Sequence, residues 1–418
     1  MGVPHMTSET KTTTAQTGAR RHEPLTEAVL TEGFFNGTLP AGMATASDDP
    51  WEHLAALRAL GPLSWNEAGG YWVASHHAEV QRASTDPARF CSGQGILTFE
   101  IGHTYPSPPT MMHTDPPDHT RYRGLVAPAF RPSAMKALHP RLVAHVARLL
   151  DATPVGEPAD IVRHLTVPFP LLVICELLGV PPEEWEKFYL WSEISIPGAT
   201  DHTDEERLAL QGEMVGYLLA AVADKKVHPG EDVFSLMAEA GLTDFEIAMF
   251  AVQLLTAGNE TVRNTMSAGL VELARNPVQW QRLRDDRSLV PLAAEEMLRW
   301  ASSVIYFMRT AVSDTELGGT QVAAGDHIVL VYASANRDEA VIGPTASSFD
   351  IARSPNPHLA FGFGTHYCIG AALARQEIGV VLNEMLDRYS SIELAGPVER
   401  TKSAIIAGIH RADLTMTH

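Results

Sequence analysis

Cysteine is scarce in this sequence. The 418 residues contain three cysteines, Cys91, Cys175 and Cys368. So few cysteines do not suggest a disulfide framework, and they favour a protein of the reducing cytoplasm. They also argue against a zinc site, because such sites usually combine several cysteines and histidines in paired spacings. The apolar neighbours of Cys175 predict that it is a packing residue.

Positive charge is in the minority. Lysine and arginine number 31 against 50 aspartates and glutamates, which gives a net charge of −19 at pH 7. This balance argues against binding to nucleic acid or to anionic membranes. We interpret the acidity as a contribution to solubility.

Long apolar runs are missing as well. No stretch approaches the roughly 18 consecutive apolar residues of a membrane-spanning helix. Residues 1–23 lack the apolar core of a signal peptide, so we expect a cytoplasmic protein. We predict a disordered tail over residues 1–25, of which residues 1–6 could be left from cloning. Residues 26–418 show no linker and are predicted to form a single domain.

The sequence does contain one unusual loop, FGFGTHYCIG, which begins at Phe361. Good helix formers follow it directly, so Cys368 is predicted where a Gly-rich loop turns into a helix. The partial positive charge at a helix N-terminus favours a thiolate, and glycines let the backbone approach a flat partner closely. Phe361 can shield the sulfur from water.

These residues allow three interpretations of Cys368. It can be a packing cysteine, a nucleophile with a histidine and an acid nearby in space, or a metal ligand. A shielded thiolate needs a cation beside it, and a metal is the natural candidate. His366 and Cys368 alone make a poor zinc site, whereas a single thiolate suits haem iron.

The loop resembles the haem-binding loop of the cytochrome P-450 monooxygenases, in particular bacterial ones. The fixed positions of that pattern are matched by Phe361, Gly364, His366, Cys368 and Gly370. The resemblance implies a mainly α fold with small β-sheets, in which a long central helix lies over a haem b (iron protoporphyrin IX). It also implies that Cys368 is the axial ligand of the iron and that residues 26–418 are the catalytic domain.

A second landmark is the stretch DHTRYR that begins at Asp118. Two prolines before Asp118 predict a helix start, so His119 and Arg123 share one helical face, where two cations could bind an anion. A solvated basic face is the alternative. The resemblance implies that His119, Arg123, Arg309 and His366 bind the two haem propionates.

The third landmark is a long helix predicted over residues 244–276, from a capping box at Thr243 and Glu246 to Pro277. At about 1.5 Å per residue it would span about 50 Å and cross the whole domain.

The middle of this helix reads AGNET from Ala257. A glycine, a carboxylate and a hydroxyl are out of place in a buried helix, so the pattern indicates a site, with an exposed polar patch as the alternative. We expect Gly258 to let a flat ligand or dioxygen approach. The resemblance implies that Ala257 and Gly258 adjoin the haem and that Glu260 and Thr261 manage protons. Val262 departs from the family, in which many members have a second threonine.

The fourth landmark is Glu296 and Arg299, three residues apart on one helix face. A surface ion pair, which would contribute under about 1 kcal/mol, is the ordinary interpretation. The resemblance implies instead a buried structural clamp completed by Arg353.

Small β regions are predicted around these landmarks. A strand is predicted over residues 70–74 after a helix over 51–61, and another over 305–311. A hairpin is predicted over residues 321–330, with its turn at Gly325.

A long loop over residues 92–109 is implied to cover the substrate pocket. The predicted pocket residues are Ile96, Leu97, Phe99, Leu254, Val304, Ile305 and Phe307. Because none is charged, burial of apolar surface at ~25 cal/mol per Å² is expected to supply most of the binding energy. The stretch 258–264 also resembles bacterial members that oxidise terpenes, steroids and aliphatic chains. We therefore predict a terpenoid, steroid or fatty-chain substrate, with a macrocycle or peptide natural product as the alternative.

By this resemblance the protein is an oxidoreductase that activates dioxygen and hydroxylates an sp³ carbon. The chain includes no flavin or nicotinamide domain, so electrons are expected from a ferredoxin and its reductase, docked by exposed cations such as Arg375. One alternative is a haem-thiolate enzyme that couples, desaturates or uses peroxide, and Glu260 with Thr261 argues against peroxide use. The other is a haem-binding sensor, which would not need that pair.

Overall fold

The computed structural model describes residues 51–418 apart from residues 68, 103–109, 196–201, 402 and 404. The predicted tail over residues 1–25, and the predicted domain as far as residue 50, lie outside the described residues. Helices predominate in the described part and the sheets are small, which confirms the predicted fold class.

The helices are labelled α1 to α14 in chain order, and short 3₁₀ turns are left unlabelled. Their bounds are Trp51–Ala59, His77–Thr85, Asp118–Val126, Pro132–Asp151, Pro168–Leu178, Trp185–Ile194, Asp204–Val227, Val233–Glu239, Asp244–Arg275, Pro277–Asp285, Val290–Ala301, Tyr332–Ala335, Glu339–Ile342 and Ala371–Arg388.

The strands are labelled β1 to β12 in the same way. Their bounds are Leu63–Asn66, Tyr71–Ala74, Phe90–Cys91, Pro158–Asp160, Phe307–Ala311, Thr315–Leu317, Thr320–Val322, His327–Leu330, Ser391–Leu394, Glu399–Arg400, Ile409–Arg411 and Asp413–Thr417. The largest sheet has the order β1-β2-β8-β5-β3, and β4-β12-β9 form a second sheet.

The helix α9 confirms the predicted long helix and ends one residue earlier, at Arg275. Its capping box forms as the sequence indicates. The Thr243 backbone N–H donates to Glu246 Oε2 at 2.9 Å, and the Glu246 N–H donates to Thr243 Oγ1 at 3.2 Å. The helix packs against α5, α7 and α11, so its middle lies inside the molecule.

The main core surrounds α9 and is lined by apolar stripes of the neighbouring helices. On α4 the buried residues are Met135, Leu138, Leu142, Val146 and Leu150, which recur every three or four positions as one helical face requires. Two smaller clusters cover the two faces of the five-stranded sheet. Within the described ranges, no helix has the length and apolar character needed to cross a membrane.

The hairpin predicted over residues 321–330 is wrong. The strand β7 pairs with β6, and the chain turns between them at Gly318 and Gly319, whose φ angles are 58° and 76°. The strand β8 pairs instead with β5 and β2 in the five-stranded sheet. Gly325 does turn the chain, with φ 88°, but it leads from one sheet into another.

Candidate functional site

The Cys368 loop has the tight geometry that its glycines predict. Gly362 and Gly364 have φ angles of 66° and 68°, in the left-handed region that favours glycine. A Cβ at Gly364 would collide with the carbonyl oxygen of Ser84 on α2. The Cys368 N–H donates to Phe361 O at 2.9 Å and closes the loop. The helix α14 then begins at Ala371, so the sulfur lies beside a helix N-terminus.

The protein around Cys368 does not by itself produce a thiolate. The residue is accessible to solvent, yet protein surrounds the sulfur closely enough that desolvation raises the pKa of its thiol. The N–H of Gly370 and the charges of Arg123 and Arg375 act in the opposite direction, as the helix end predicts, but they are outweighed. A cation bound to the sulfur would reverse this balance.

Phe361 lies against the loop with Arg375 over its ring, at 4.6 Å from the ring centroid. The side chain of Arg375 is 38% exposed, and it forms a salt bridge with Glu295. Burial opposes ionisation of Glu295, but hydrogen bonds from His358 and Arg375 lower its pKa to about 2. Arg375 therefore has an accessible but paired charge, and its role toward a redox partner stays a prediction.

Two imidazoles and two guanidinium groups meet next to the loop. The rings of His119 and His366 are 4.3 Å apart between centroids. Burial, and then the charges of Arg309, His119 and Arg123, lower the pKa of His366 to about 3. Burial and the charge of Arg123 also lower the pKa of His119. Only the two guanidinium groups are therefore charged at neutral pH. We call the group formed by His119, Arg123, Arg309 and His366 the cationic cluster, and it brings together all four predicted propionate ligands.

The cationic cluster lacks an acidic counterpart in the described part of the chain. Arg309 is buried and donates to the carbonyl oxygen of Met308 at 2.7 Å, and neither Arg309 nor Arg123 has an ion pair there. The carboxylate of Asp115 lies nearby, but it accepts the N–H groups of Ser92 and Gly93, both at 2.9 Å. The arrangement therefore fits an anion that comes from outside the protein.

The predicted clamp residues lie together in the core. Arg299 donates Nε and Nη2 to the two oxygens of Glu296 at 2.8 and 2.7 Å, and Arg353 donates Nε at 3.0 Å. Asn356 and the Asp350 N–H also donate to Glu296, which is 0% exposed. The burial excludes the alternative of a surface ion pair.

The middle of α9 contains a buried ionic group. Glu260 is 1% exposed and accepts hydrogen bonds from Arg263 Nη1, Asn259 and Asn264. Arg263 also binds Glu193 Oε1 on α6, at 2.8 Å. Burial raises the pKa of Glu260, against the charge of Arg263. The Glu260 carboxyl can therefore hold a proton nearer to neutral pH than an exposed carboxyl.

Thr261 and its neighbours occupy another side of α9. Thr261 is half-buried, and its hydroxyl donates to Ala257 O at 2.7 Å. Ala257 is exposed. Gly258 faces α5, where an added Cβ would lie 3.3 Å from Cδ1 of Ile174. The glycine permits close packing of α9 against α5, and its predicted place beside the haem stays a prediction.

The known relatives of this sequence agree with the geometry. The sequence profile of the cytochrome P-450 family matches residues 231–403. Linalool 8-monooxygenase of Pseudomonas putida is 33% identical, over 88% of this chain and 95% of the relative. Steroid C26-monooxygenase of Mycolicibacterium smegmatis is 34% identical, over 86% of this chain and 89% of the relative.

A solved structure gives the same answer. CYP109E1 of Bacillus megaterium in complex with testosterone has a TM-score of 0.80 and 32% identity, over 88% of this chain and 97% of that chain. The chain belongs to the cytochrome P-450 family. It is therefore an oxidoreductase of the monooxygenase type, and the family implies a haem held by a thiolate.

The residues of this cytochrome P-450 fit such a haem. Cys368 is a sulfur that needs a cation, and the cationic cluster needs an anion. The charge of Arg123 acts on both Cys368 and His366, so the two features belong to one site. An iron with two propionates meets both requirements.

The predicted pocket residues pack against three different apolar clusters. Ile305 is buried on one side of the five-stranded sheet, whereas Val304 and Phe307 pack on the other side. Leu254 packs against the main core. The regular strand begins only at Phe307, so the side-chain direction of the preceding residues could not be extrapolated from strand alternation.

The other predicted pocket residues belong to the loop before α3. Ile96 is buried, Leu97 is half-buried, and Phe99 is 40% exposed. Residues 103–109, which complete the predicted cover of the pocket, lie outside the described residues.

Several residues of the site were not found from the sequence. Arg263 could have been noticed, because it lies three residues after Glu260 and therefore on the same helical face. Glu193, Asn264 and Asn356 gave no such signal, since their partners are distant in sequence or their residue types are common on surfaces.

Proposed function

We propose that this cytochrome P-450 hydroxylates an apolar small molecule of terpenoid, steroid or fatty-chain type. The observation that supports a haem site for this reaction is the position of Cys368 next to the cationic cluster. The substrate class is supported by uncharged pocket candidates, by the linalool and steroid monooxygenases among its relatives, and by the testosterone complex of a similar structure.

In this proposal Cys368 ligates the iron of haem b, and the N–H of Gly370 donates to its sulfur. Phe361 limits access of water to that bond. The members of the cationic cluster bind the two propionates, and Ala257 lines the haem on the side of α9. When bound, the haem supplies the activation of dioxygen and the insertion of oxygen into the substrate.

The proposed roles of Glu260 and Thr261 concern protons. The Thr261 hydroxyl is accessible and donates to Ala257 O, and it would present its oxygen to a haem bound beside α9. Glu260 has a raised pKa and can provide a proton near neutral pH. Glu296, Arg299 and Arg353 maintain the fold beneath the haem.

Electrons are proposed to come from a separate ferredoxin and its reductase, in the cytoplasm. We propose that residues 26–418 form a single catalytic domain, within which the cytochrome P-450 profile matches residues 231–403. Arg375, which is 38% exposed and paired with Glu295, is proposed to belong to the docking surface of the ferredoxin.

The proposed substrate class is tested by spectral titration of the ferric protein. We expect linalool, testosterone and a branched fatty acid to shift the haem from low to high spin, because apolar contacts provide the binding energy. A charged peptide of similar size is the control and should leave the spectrum unchanged. If only macrocycles or peptide-linked compounds produce the shift, the substrate proposal is wrong while the family assignment remains.

A Thr261→Ala variant is expected to bind haem and substrate normally but to release peroxide instead of product. The change removes one hydroxyl, and a positioned proton donor contributes about 10²–10⁴-fold to a reaction. The measurement is the ratio of product to reduced nicotinamide consumed. Thr261→Ser keeps the hydroxyl and should retain most of the coupling. Equal coupling in the alanine variant and the wild type would remove Thr261 from the mechanism.

A further inference from the structure

A buried carboxylate, Glu100, lies in the loop before α3, and the proposed reaction does not use it. It is 7% exposed. Its Oε2 accepts the backbone N–H groups of Ile96 and Leu97 at 2.7 and 3.0 Å, and its Oε1 lies 3.0 Å from His113 Nε2. Burial acts to raise the pKa of Glu100, but these hydrogen bonds outweigh it and lower the pKa. Glu100 is therefore an anion at neutral pH.

His113 connects this carboxylate to α9. Its Nδ1 lies 2.9 Å from Thr110 Oγ1. In the same turn, the Met111 N–H donates to Gln253 Oε1 on α9 at 3.1 Å. Gln253 is adjacent to Leu254, a proposed pocket residue.

The other end of the segment is fixed near β5. The Met308 N–H donates to Ile96 O at 2.7 Å. The hydroxyls of Thr98 and Tyr306, both buried, are 2.8 Å apart. Residues 96–100 are thus held between the five-stranded sheet and α9, and the contact between Glu100 and His113 completes the connection.

We propose that Glu100 is a positioning residue that holds Ile96 and Leu97 over the substrate pocket. The inference rests on the proposed function, because it takes Ile96 and Leu97 as pocket residues. Glu100 acts through them, since the hydrogen bonds from the two backbone amides and His113 occupy both of its oxygens. Its loss is expected to weaken the binding of pocket ligands before it affects the haem.

Other titratable groups face this contact and have to be considered in a pH experiment. The charge of His113 is one of the weaker causes that lower the pKa of His366. Burial, and more weakly Glu100, raise the pKa of Tyr306. Asp115 lies near His113, but backbone amides bind its carboxylate. A control variant is needed to separate these effects from Glu100.

A Glu100→Gln variant gives a readout that a purely structural role would not produce. Its amide oxygen can still accept the N–H groups of Ile96 and Leu97, and its amide nitrogen then faces His113. That contact forms a hydrogen bond only while His113 is neutral. In a protonated imidazole the Nε2 carries a hydrogen, which would point at the N–H groups of the amide. A rotation that exchanges the oxygen and nitrogen of the Gln side-chain amide does not restore the contact, since its nitrogen would then face the N–H groups of Ile96 and Leu97. In the wild type the carboxylate accepts from His113 in either state.

The experiment measures the binding of clotrimazole, an apolar azole that ligates haem iron from the pocket, as a function of pH. The quantity compared is the dissociation constant of the variant divided by that of the wild type. Protonation of the ligand affects both constants equally and therefore drops out of this ratio. As the pH is lowered from about 8 to about 5.5, this ratio is expected to rise about tenfold for Glu100→Gln, as for a buried hydrogen bond replaced by two opposed donors. The carbon monoxide spectrum at pH 8 checks that the variant is folded and holds haem.

Glu176→Gln is the matched control, because Glu176 Oε1 contacts His145 Nε2 at 3.1 Å between α4 and α5. Its ratio should stay constant. A constant ratio for Glu100→Gln, or an equal rise for Glu176→Gln, would overturn the inference. If clotrimazole gives no spectral change with the wild-type protein, the proposed haem site itself fails, which is a separate outcome.

Discussion

Replacement of Cys368 by alanine is expected to abolish the red-shifted band that carbon monoxide gives with a ferrous haem thiolate, and all monooxygenase turnover with it. The loop places this sulfur beside a helix N-terminus and within reach of the charges of Arg123 and Arg375. Cys368 would be the residue that holds the haem iron, and a thiolate ligand would supply the electron density that oxygen activation needs, so its loss should remove turnover. The spectrum and the rate of product formation are measured on the same sample.

Cys91→Ala is the matched control for this experiment. Cys91 lies on β3, and burial raises the pKa of its thiol, as it does for Cys368. It lies on a strand and, within the described residues, has no α-helix N-terminus beside it, so its replacement should leave the band unchanged. A band that survives in Cys368→Ala and disappears in Cys91→Ala would show that the wrong cysteine has been assigned.

The long helix could be predicted from the sequence because the signals that define it are local. Thr243 and Glu246 lie one helical turn apart, and their capping hydrogen bonds depend on no other part of the chain. Pro277 stops the helix for an equally local reason. The clamp was also found, although its third member, Arg353, came from the family resemblance and not from helical spacing.

The errors concern partners that local sequence does not specify. The sequence correctly predicts a turn at Gly325. The strand after it, β8, pairs with β5 and with β2, and β2 lies more than 250 positions earlier in the chain. Gly258 was correctly seen as unusual in a buried helix. Its contact with Ile174 on α5 depends on how two helices pack, which local sequence does not specify. Side-chain direction before β5 likewise depends on where the strand becomes regular.

Glu260→Gln is expected to lower the rate of product formation by about 10²–10⁴-fold, the contribution of general acid catalysis. Burial raises the pKa of Glu260, so its protonated form is present at higher pH than for an exposed carboxyl. Because the proton donor is the protonated form, wild-type turnover should fall as the pH rises through this raised pKa. The amide of the variant does not titrate, so its residual rate should lack that fall.

The charge of Arg263 makes a second explanation necessary. Arg263 is fully buried between Glu260 and Glu193, and removal of either carboxylate leaves the guanidinium with one anionic partner. A loss of activity in Glu260→Gln could therefore reflect instability, since breaking a buried ion pair costs about 3–5 kcal/mol.

Glu193→Gln separates the two explanations, because it removes one anionic partner of Arg263 from α6 and leaves Glu260 in place. If Glu260 transfers protons, the two variants should lose comparable thermal stability, but only Glu260→Gln should lose the pH dependence of turnover. If both variants lose the same activity and keep the same pH profile, Glu260 serves only to balance the charge of Arg263. In that case the proton supply has to be sought around Thr261. Its hydroxyl donates to Ala257 O, and its backbone carbonyl accepts from the hydroxyls of Thr265 and Ser303.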